Sequence, residues 1–382
     1  MPVDKPQNSA MLDTISFRGI DKIGLSIEKT KTLIVTDRKI QSLFGSSFPD
    51  CHFALIPEGE SAKSWETLLE LYGYCADLEV DRNWNILAIG GGSVGDIAGF
   101  LAHTWMRGIG FSVVPTTLLA MTDAALGGKN GLDFKGYKNV VGSFQLPDNI
   151  FCDIETLRTL DAQQFASGMA EVIKHAIIDG ENYFSFLEKA LPPKNEGAGT
   201  TTGDDGVGSP CFDHAACPSS LLLHMVSESQ RVKLSIVERD PKESGERRIL
   251  NLGHTFGHAV ELVSGLPHGY AVSIGIALAC FFSLKRNEMK PVVARRILNL
   301  LKGYGLPVDP GSLAFEAGRI VPAGMRPNAR KDYWGSVADA LFMDKKREGG
   351  FMNLVIPQNI GVVKIEKIEI DELKAFLDEV TP

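Results

Sequence analysis

The sequence has few cysteines, and none of them lies in a motif that predicts a zinc cluster. The nearest two, Cys211 and Cys217, are separated by five residues, which is wider than a tight zinc pair. We therefore predict free thiols in a reducing compartment and expect a cytoplasmic protein. The six cysteines are Cys51, Cys75, Cys152, Cys211, Cys217 and Cys280.

Long apolar runs and an excess of basic residues are also missing. No apolar run approaches the roughly 20 residues that a membrane span needs. The start, MPVDKPQNSAMLDTISF, lacks the charged-then-apolar pattern of a signal peptide. The net charge of -8 argues against a general nucleic-acid binder, although it leaves room for a local basic pocket. We expect neither a membrane nor a nucleic acid as a partner.

At 382 residues, 44% of them hydrophobic, the chain predicts a folded protein of two or three domains. In residues 1–160, β-branched apolar runs alternate with helical patterns, which predicts an α/β domain with a mainly parallel sheet. The predicted strands are 31–37, 52–57, 85–92 and 110–117, and the predicted helices are 62–80 and 95–106.

Five segments within residues 161–382 carry helical spacing, so this part of the chain predicts an α-helical domain. Within it, residues 191–220 are rich in Gly, Pro, Thr and Ser, which indicates a surface loop insertion. A short β pattern follows Lys345 and Lys346, within residues 342–361, near the end of the chain.

The stretch GGGSVGD (90–96) follows a predicted strand and opens a predicted helix. Glycines there let backbone approach a pyrophosphate at a helix N-terminus. The dinucleotide fingerprint requires an acidic residue about 20 positions further on, and the sequence has none there. A tight strand-to-helix turn without a ligand therefore remains an alternative. Two further loops end predicted strands, TDRK (36–39) and PEGESAKS (57–64), and each is either a ligand contact or a surface turn.

Residues 121–139, MTDAALGGKNGLDFKGYKN, combine glycines and lysines beside an apolar stretch. A glycine-rich loop with lysines can wrap a phosphate, whereas the alternative is an exposed mobile loop. The preceding apolar residues favour the first interpretation, with Lys129 and Lys138 leaving a buried platform.

Two histidines four residues apart, His254 and His258, share one face of a predicted helix. They are two metal ligands, one ligand and one acid–base group, or two structural histidines, and spacing alone cannot choose. Glu171, on another apolar helix, needs a cation or metal partner if it faces inward, and Lys174 three residues on could pair with it. Glu171, His254, His258, Glu261 and His268 together offer enough ligands for a divalent ion.

Taken together, the motifs resemble the 3-dehydroquinate synthase family of sugar phosphate cyclases. The resemblance extends from about residue 31 to 361, and the motifs stand in the family's order. They are PEGESAK, GGGSVGD, MRG, VPTTLLAMTDAALGGKNG, GYKNVVGSF, MAEVIKHAI, LNLGHTFGHA, HGYAV and DKK.

The resemblance implies an N-terminal NAD-binding α/β domain, a C-terminal helical metal-binding domain and a homodimer. It implies a zinc site, with Co²⁺ as the alternative ion, at Glu171, His254 and His268. The implied NAD contacts are Asp37, Glu58, Glu60, Lys63, Gly92, Ser93, Val94, Gly95, Asp96, Thr116, Thr117, Lys129, Lys138, Thr156 and Thr159. The implied substrate contacts are Arg107, Asp123, Lys129, Lys138, Asn139, Lys174, Lys233, Arg247, Asn251, His258 and Lys345 or its neighbour Lys346.

The implied reaction converts 3-deoxy-D-arabino-heptulosonate 7-phosphate to 3-dehydroquinate and phosphate. It proceeds by oxidation with NAD, β-elimination, reduction and an intramolecular aldol step, so NAD is regenerated. The alternatives are a sister cyclase acting on another sugar phosphate and a metal-dependent polyol dehydrogenase. On this basis His254 is expected to bind the metal, His258 to face the substrate phosphate, and Glu261 to be structural.

Overall fold

The computed structural model describes residues 12–135, 137–192, 212–241, 243–308, 314–316, 319–321, 327–343 and 350–380. The chain divides into two compact units. The first comprises residues up to 160 together with 215–238, and the second comprises 161–214 together with 239–382.

The first unit is built on a parallel six-stranded sheet with the order β1-β8-β5-β4-β2-β3. The chain runs from β2 outward to β3 and then returns to β4 on the other side of β2. This reversal makes the carboxyl ends of β2 and β4 the point where ligands bind in such sheets. The strands are β1 (Ile15–Phe17), β2 (Thr32–Asp37), β3 (His52–Ile56), β4 (Asn85–Gly90), β5 (Gly110–Pro115) and β8 (Asn149–Cys152).

The apolar runs form parallel strands because helices cover both faces of the sheet. Every residue of β2, TLIVTD, is buried. On one side, Ile34, Leu87, Ile89, Val114 and Phe151 form a continuous core. The α/β prediction with a mainly parallel sheet is confirmed, and each predicted strand and helix of this region exists. The helices are α1 (Arg38–Phe44), α2 (Trp65–Asp77), α3 (Gly92–Thr104), α4 (Leu118–Thr122) and α7 (Ser219–Arg239).

Helix α7 packs with this unit, although the sequence prediction assigned it to the region 161–382. Its Gln230 amide donates to the Met121 carbonyl at 2.9 Å and contacts Cys152 Sγ at 3.4 Å. Arg158 fixes the start of the same segment by donating to the Ala215 carbonyl and to Ser219 Oγ, at 2.5 and 2.9 Å. Helical periodicity shows that a helix forms, but it does not show which domain the helix joins.

The glycine-rich segment after α4 is a β-hairpin, not the loop that its composition suggested. Strand β6 (Lys129–Phe134) pairs antiparallel with β7 (Tyr137–Phe144). The hairpin approaches α3 at Gly99, where a Cβ atom would lie 2.2 Å from Asn130 Oδ1. The Asn130 amide in turn donates to the Gly128 and Gln145 carbonyls, which ties the hairpin together.

The second unit is mainly helical, as predicted, and also contains an antiparallel pair of strands. β11 (Phe351–Asn359) pairs with β12 (Val362–Glu369). Two short strands, β9 (Ala314–Glu316) and β10 (Arg319–Val321), form a second pair. The helices are α5 (Ala162–Asp179), α6 (Glu181–Ala190), α8 (His254–Ser264), α9 (His268–Lys285), α10 (Pro291–Gly303), α11 (Pro327–Met343) and α12 (Ile370–Val380).

The predicted insertion at 191–220 falls largely outside the described residues, which omit 193–211. On its C-terminal side, Phe212 and His214 stack on Phe165 of α5, with ring centroids 5.8 and 4.3 Å apart. This end of the segment is therefore part of the second unit's apolar packing. Among the described residues the five cysteines are free thiols.

Glycines allow α9 to approach its neighbours in the second unit very closely. Gly253, which precedes α8, has a φ of +82°, a region that L side chains rarely adopt. A Cβ on Gly275 would lie 1.8 Å from the Gly253 carbonyl oxygen, and one on Gly269 would lie 1.9 Å from the Ser167 carbonyl oxygen. The start of α8 thereby packs against the interior of α9, and the start of α9 packs against α5.

One described helix, α9, is long and apolar enough to cross a membrane by length and composition. Of its most apolar 18 residues, 78% are buried inside the protein. Its apolar surface is therefore accounted for by packing within the second unit.

We predict that Gly275→Ala destabilises the protein by about 1–3 kcal/mol, because the new methyl group has no space beside Gly253. The matched control is Gly335→Ala in α11, where a Cβ would meet nothing within 4 Å. This control should be neutral or stabilise by up to about 1 kcal/mol, because alanine favours the helix. Thermal unfolding of the two variants checks the prediction, and equal midpoints would contradict it.

Candidate metal centre and nucleotide site

Glu171 lies on α5 with a fully buried side chain. Its neighbours on the helix, Ala170, Val172 and Ile173, belong to the apolar core. A buried carboxylate is stable only when cations or hydrogen-bond donors compensate its charge. Lys174 supplies one cation, since its Nζ forms an ion pair with Glu171 Oε2.

Two histidines approach the other oxygen of this carboxylate. His254 and His268 are the first residues of α8 and α9. Gly269, next to His268, contacts α5, and Gly253, next to His254, contacts α9. His254 Nε2 lies 3.5 Å and His268 Nε2 lies 3.6 Å from Glu171 Oε1. One potential ligand atom from each of the three side chains lies within 4.8 Å of the others.

This spacing fits a small divalent ion. Ligands held at 2.0–2.1 Å from zinc in a tetrahedron lie about 3.3–3.4 Å apart, slightly closer than the observed separations. The side chains are 0%, 14% and 31% exposed for Glu171, His254 and His268, so the set opens to solvent on the His268 side. The residues present therefore fit a metal with three protein ligands and one open position.

The protonation of His254 suits a ligand. Burial, followed by the charge of Lys174, lowers the pKa of His254 to about 3, so the ring is neutral. Its Nδ1 lies 3.3 Å from the Leu252 carbonyl oxygen, which accepts a hydrogen bond from the Nδ1–H group. The lone pair of Nε2 is then directed toward Glu171.

His268 has a carboxylate on each side. Burial lowers its pKa, but the hydrogen bonds to Glu171 and Glu261 outweigh burial and raise it to about 10. Burial likewise opposes ionisation of Glu171, yet Lys174 and the two histidines hold its pKa well below the usual range. Glu261 Oε2 lies 3.0 Å from His268 Nδ1, so Glu261 is outside the ligand set but in contact with one of its members.

His258 stands apart from the three ligands while remaining close to them. Its ring centroid lies 5.3 Å from that of His254 and 6.2 Å from that of His268. The residue is exposed, unlike a core histidine. The pKa of His258 is nevertheless lowered. Desolvation of the ring by the surrounding groups is the largest cause, and the charge of His268 is the next. The two histidines of GHTFGH thus occupy different positions, one among the potential ligands and one at the solvent side.

In the first unit, several of the predicted nucleotide contacts meet at the carboxyl edge of the sheet. The register aligns Asp37 with Ile56 and Gly90 with Pro115, so the loops after β2, β3, β4 and β5 begin side by side. Gly91 caps α3 without a side-chain hydrogen bond, which leaves backbone N–H groups at the start of the helix. A cleft beside the turn is lined by Gly90, Gly91, Gly92, Asp96 and Ala124, among others.

Lys63 connects three elements at this edge. Its Nζ donates to Asp96 Oδ2 at 2.9 Å and to Asn139 Oδ1, and lies 3.6 Å from Glu60 Oε2. Glu60 also accepts a hydrogen bond from Ser93 Oγ at 2.6 Å. Burial raises the pKa of Asp96 to about 6 even though Lys63 opposes this change. The loop after β3, the first turn of α3 and the hairpin are therefore joined by one buried cation.

The remaining predicted nucleotide contacts differ in whether their side chains already make hydrogen bonds within the protein. The Thr116 hydroxyl at the end of β5 is buried and has no hydrogen-bond partner among the described residues. By contrast, Thr117 caps α4, and the hydroxyls of Thr156 and Thr159 donate to backbone carbonyls one turn earlier. Asp37 caps α1 through the Ile40 N–H, and burial raises its pKa. The glycine turn and the orphaned Thr116 hydroxyl fit a bound dinucleotide.

The predicted substrate residues of the first unit lie on α7, the hairpin and a strained turn. Lys233 Nζ contacts both the Asp123 carboxylate, at 2.6 Å, and its carbonyl oxygen, at 2.7 Å. Lys129 and Lys138 are exposed on β6 and β7. Arg107 follows Met106 in a turn where their φ angles are +68° and +49°. Such backbone strain is characteristic of functional positions.

Other substrate candidates lie in the second unit. Arg247 is 5% exposed and donates to the Pro241 carbonyl at 2.8 Å. The Asn251 amide donates to Glu243 Oε1 at 2.8 Å. Lys345 and Lys346 lie outside the described residues.

Solved structures share this fold along nearly the whole chain. A 2-epi-5-epi-valiolone synthase from Streptomyces hygroscopicus, with NAD+ and Zn²⁺ bound, has a TM-score of 0.74 at 23% identity and covers 100% of this chain and 98% of its own. A 2-deoxy-scyllo-inosose synthase complexed with carbaglucose-6-phosphate, NAD+ and Co²⁺ has a TM-score of 0.73 at 22% identity, with 96% of each chain covered. An NADH-dependent butanol dehydrogenase from Thermotoga maritima has a TM-score of 0.60 at 14% identity, with 97% of each chain covered. The chain therefore has the fold of these two synthases and of this dehydrogenase.

The sequence comparisons identify the family among proteins with this fold. The model of the 3-dehydroquinate synthase N-terminal domain matches residues 53–167, and that of the C-terminal domain matches residues 168–321. The 3-dehydroquinate synthase of Prochlorococcus marinus is 35% identical over 355 residues, covering 90% of this chain and 87% of its own. That of Syntrophotalea carbinolica is 34% identical, covering 89% and 86%. The chain belongs to the 3-dehydroquinate synthase family.

We predict that His254→Ala abolishes stoichiometric zinc binding, because it removes the most buried nitrogen ligand. His258→Ala should retain zinc, since His258 lies outside the potential ligand set, and it serves as the matched control. Metal content per chain after equilibration with Zn²⁺ and gel filtration measures both variants. Unchanged zinc in His254→Ala would contradict the ligand assignment.

We predict that Lys63→Met destabilises the protein by about 1–3 kcal/mol at pH 8, because it leaves Asp96 buried without its cation. The folded-state pKa of Asp96 already lies above the unfolded value, so its contribution to stability falls as pH rises through about 6. Loss of Lys63 raises the pKa of Asp96 further, so the loss of stability continues to higher pH. The destabilisation caused by Lys63→Met should therefore be smaller at pH 5 than at pH 8.

Thermal unfolding at both pH values measures this effect. Lys285→Met, which removes an exposed ion pair with Glu379, is the control and should cost at most about 1 kcal/mol. A Lys63→Met penalty that is equal at the two pH values would show that Asp96 is not the affected group.

Proposed function

We propose that the protein converts 3-deoxy-D-arabino-heptulosonate 7-phosphate to 3-dehydroquinate and phosphate, using NAD and a divalent metal ion. The observation that carries this proposal is the convergence of Glu171, His254 and His268, at separations suited to zinc, in a chain that matches both domains of one synthase family. Zinc is the proposed ion, with Co²⁺ as the alternative.

Sequence identity favours this reaction over that of a sister cyclase. The 3-dehydroquinate synthases of Prochlorococcus marinus and Syntrophotalea carbinolica are 35% and 34% identical, whereas the inosose and valiolone synthases are 22% and 23% identical. A polyol dehydrogenase is disfavoured for the same reason, since the dehydrogenases with this fold are less similar still.

When bound, NAD supplies a temporary oxidation of a carbinol carbon, and the divalent ion polarises the adjacent oxygens. The proposed nucleotide site is the carboxyl edge of the sheet in the first unit. There the N-terminus of α3, from Gly92 to Asp96, faces the pyrophosphate, because backbone N–H groups and the helix dipole both favour an anion. Thr116 supplies a hydroxyl that otherwise lacks a partner. Lys63 holds this turn and the hairpin in place.

The substrate carries a phosphate and a carboxylate, so it requires cationic partners despite the acidic composition of the chain. We assign this role to Arg107, Lys129, Lys138, Lys174, Lys233, Arg247 and one of Lys345 and Lys346. Asp123, Asn139 and Asn251 provide further polar contacts. His258 is assigned to the substrate phosphate, where its imidazole donates a hydrogen bond or a proton.

We further propose that the protein acts as a homodimer in the cytoplasm. The free thiols suit a reducing compartment. The β6–β7 hairpin carries three exposed apolar side chains, Tyr137, Val140 and Phe144, which are 70%, 58% and 69% exposed. Exposed apolar groups beyond those scattered singly on a surface commonly mark protein contacts.

A single assay tests the reaction. Purified protein is mixed with Zn²⁺, NAD and the heptulosonate phosphate, and phosphate, dehydroquinate and NADH are followed together. We expect one phosphate per dehydroquinate and no net NADH. Parallel mixtures replace the heptulosonate phosphate with glycerol or with another sugar phosphate. Net NADH from glycerol, with no phosphate released from the heptulosonate phosphate, would support the dehydrogenase and overturn the proposal. Turnover of the other sugar phosphate alone would also overturn it.

We predict that His258→Ala lowers kcat at least about 100-fold in this assay, since general acid–base groups contribute about 10²–10⁴-fold. His224→Ala, which alters an exposed histidine on α7, is the control and should retain activity. Wild-type kcat in His258→Ala would remove this residue from the mechanism.

A further inference from the structure

Glu261 is an acidic side chain that contacts one of the potential metal ligands without belonging to the proposed ligand set. It lies on α8, seven residues after His254. Its side chain is 15% exposed, and its Oε2 lies 3.0 Å from His268 Nδ1. Nothing in the spacing of the sequence predicted this contact, since the two residues are on different helices.

The contact fixes which nitrogen of His268 is available. Metal coordination requires a neutral imidazole, and an ionised carboxylate can only accept a hydrogen bond, so the remaining ring proton sits on Nδ1, which faces Glu261. Nε2, which lies 3.6 Å from Glu171 Oε1, is then the nitrogen left to coordinate the metal. A hydrogen bond from the second ring nitrogen to a carboxylate also makes the coordinating nitrogen more basic.

His268 needs this support more than His254 does. Its side chain is 31% exposed, against 14% for His254, so surrounding packing restrains it less. His254 directs its Nδ1 to a neutral backbone carbonyl, at 3.3 Å. The more exposed histidine thus has a charged hydrogen-bond partner, and its hydrogen bond is the shorter of the two.

Electrostatics gives Glu261 a second role at the same place. A divalent ion beside Glu171 would also lie near Lys174, which already forms an ion pair with that carboxylate. Helices α8 and α9 both begin at this point, and helix N-termini carry partial positive charge. The charge of Glu261 offsets this excess of positive charge.

We propose that Glu261 is a positioning residue that orients His268 and strengthens metal binding at Glu171, His254 and His268. The inference rests on the metal site of the proposed function. It assigns to Glu261 a role in the affinity of the site for the metal ion, whereas the sequence indicated only a structural role.

The test measures metal affinity and not turnover. Metal-free protein is titrated with Co²⁺ in competition with a chromophoric chelator, and the visible ligand-field absorption of bound Co²⁺ is recorded. Loss of such an outer partner typically weakens metal binding about 10- to 100-fold. We therefore expect Glu261→Gln to bind Co²⁺ at least about tenfold more weakly and to change the absorption spectrum.

The matched control is Glu188→Gln on α6, which removes a partly exposed ion pair with Arg296 in the same unit. It should bind Co²⁺ within about twofold of wild type. If Glu261→Gln does not fold, Glu261→Asp takes its place with the same expectation, because the shorter side chain withdraws the carboxylate by about 1.5 Å. Wild-type affinity together with a wild-type spectrum in the folded variant would overturn the inference.

The outcomes separate this inference from the proposed function. If Glu261→Gln weakens Co²⁺ binding but wild-type protein does not convert the heptulosonate phosphate, the role of Glu261 stands and the proposed reaction fails. If His268→Ala binds Co²⁺ as tightly as wild type, the ligand set is wrong and the role of Glu261 is overturned with it.

Discussion

The buried carboxylate of Glu171 is the feature on which the rest of the second unit's site depends. A charge that is fully buried in an apolar helix would be strongly unfavourable without compensation. Lys174 compensates one oxygen, and two imidazole nitrogens approach the other. The two histidines begin α8 and α9, where Gly253, Gly269 and Gly275 permit close backbone contact, so the packing of the unit helps to place the groups of its site.

The first unit solves a different problem, which is to collect polar groups at the edge of an apolar sheet. The strands end in register, so their loops start side by side, and a single buried lysine joins three of the resulting elements. Lys63 thereby connects a predicted nucleotide contact, Asp96, to a predicted substrate contact, Asn139. The proposed binding of two ligands thus depends on one local ion-pair network.

Much of this organisation could be predicted from the sequence, and the exceptions have identifiable physical reasons. The strands were predictable because runs of β-branched residues are typical of strands that are buried on both faces. The family resemblance allowed different roles to be predicted for His254 and His258. The β6–β7 hairpin was not, because its glycines and lysines indicate a loop, while its pairing depends on contact with α3 at Gly99. The placement of α7 depends on buried contacts of Gln230, and the contact of Glu261 with His268 depends on the turn between two helices. Neither is a property of local spacing.

The central claim is that one divalent ion binds at Glu171, His254 and His268. Anomalous scattering measured at the zinc absorption edge from crystals of zinc-loaded protein tests it most directly. The account predicts one strong peak per chain, within about 2.0–2.2 Å of Glu171 Oε1, His254 Nε2 and His268 Nε2. A zinc peak at other residues, with no peak at Glu171, His254 and His268, would contradict the claim.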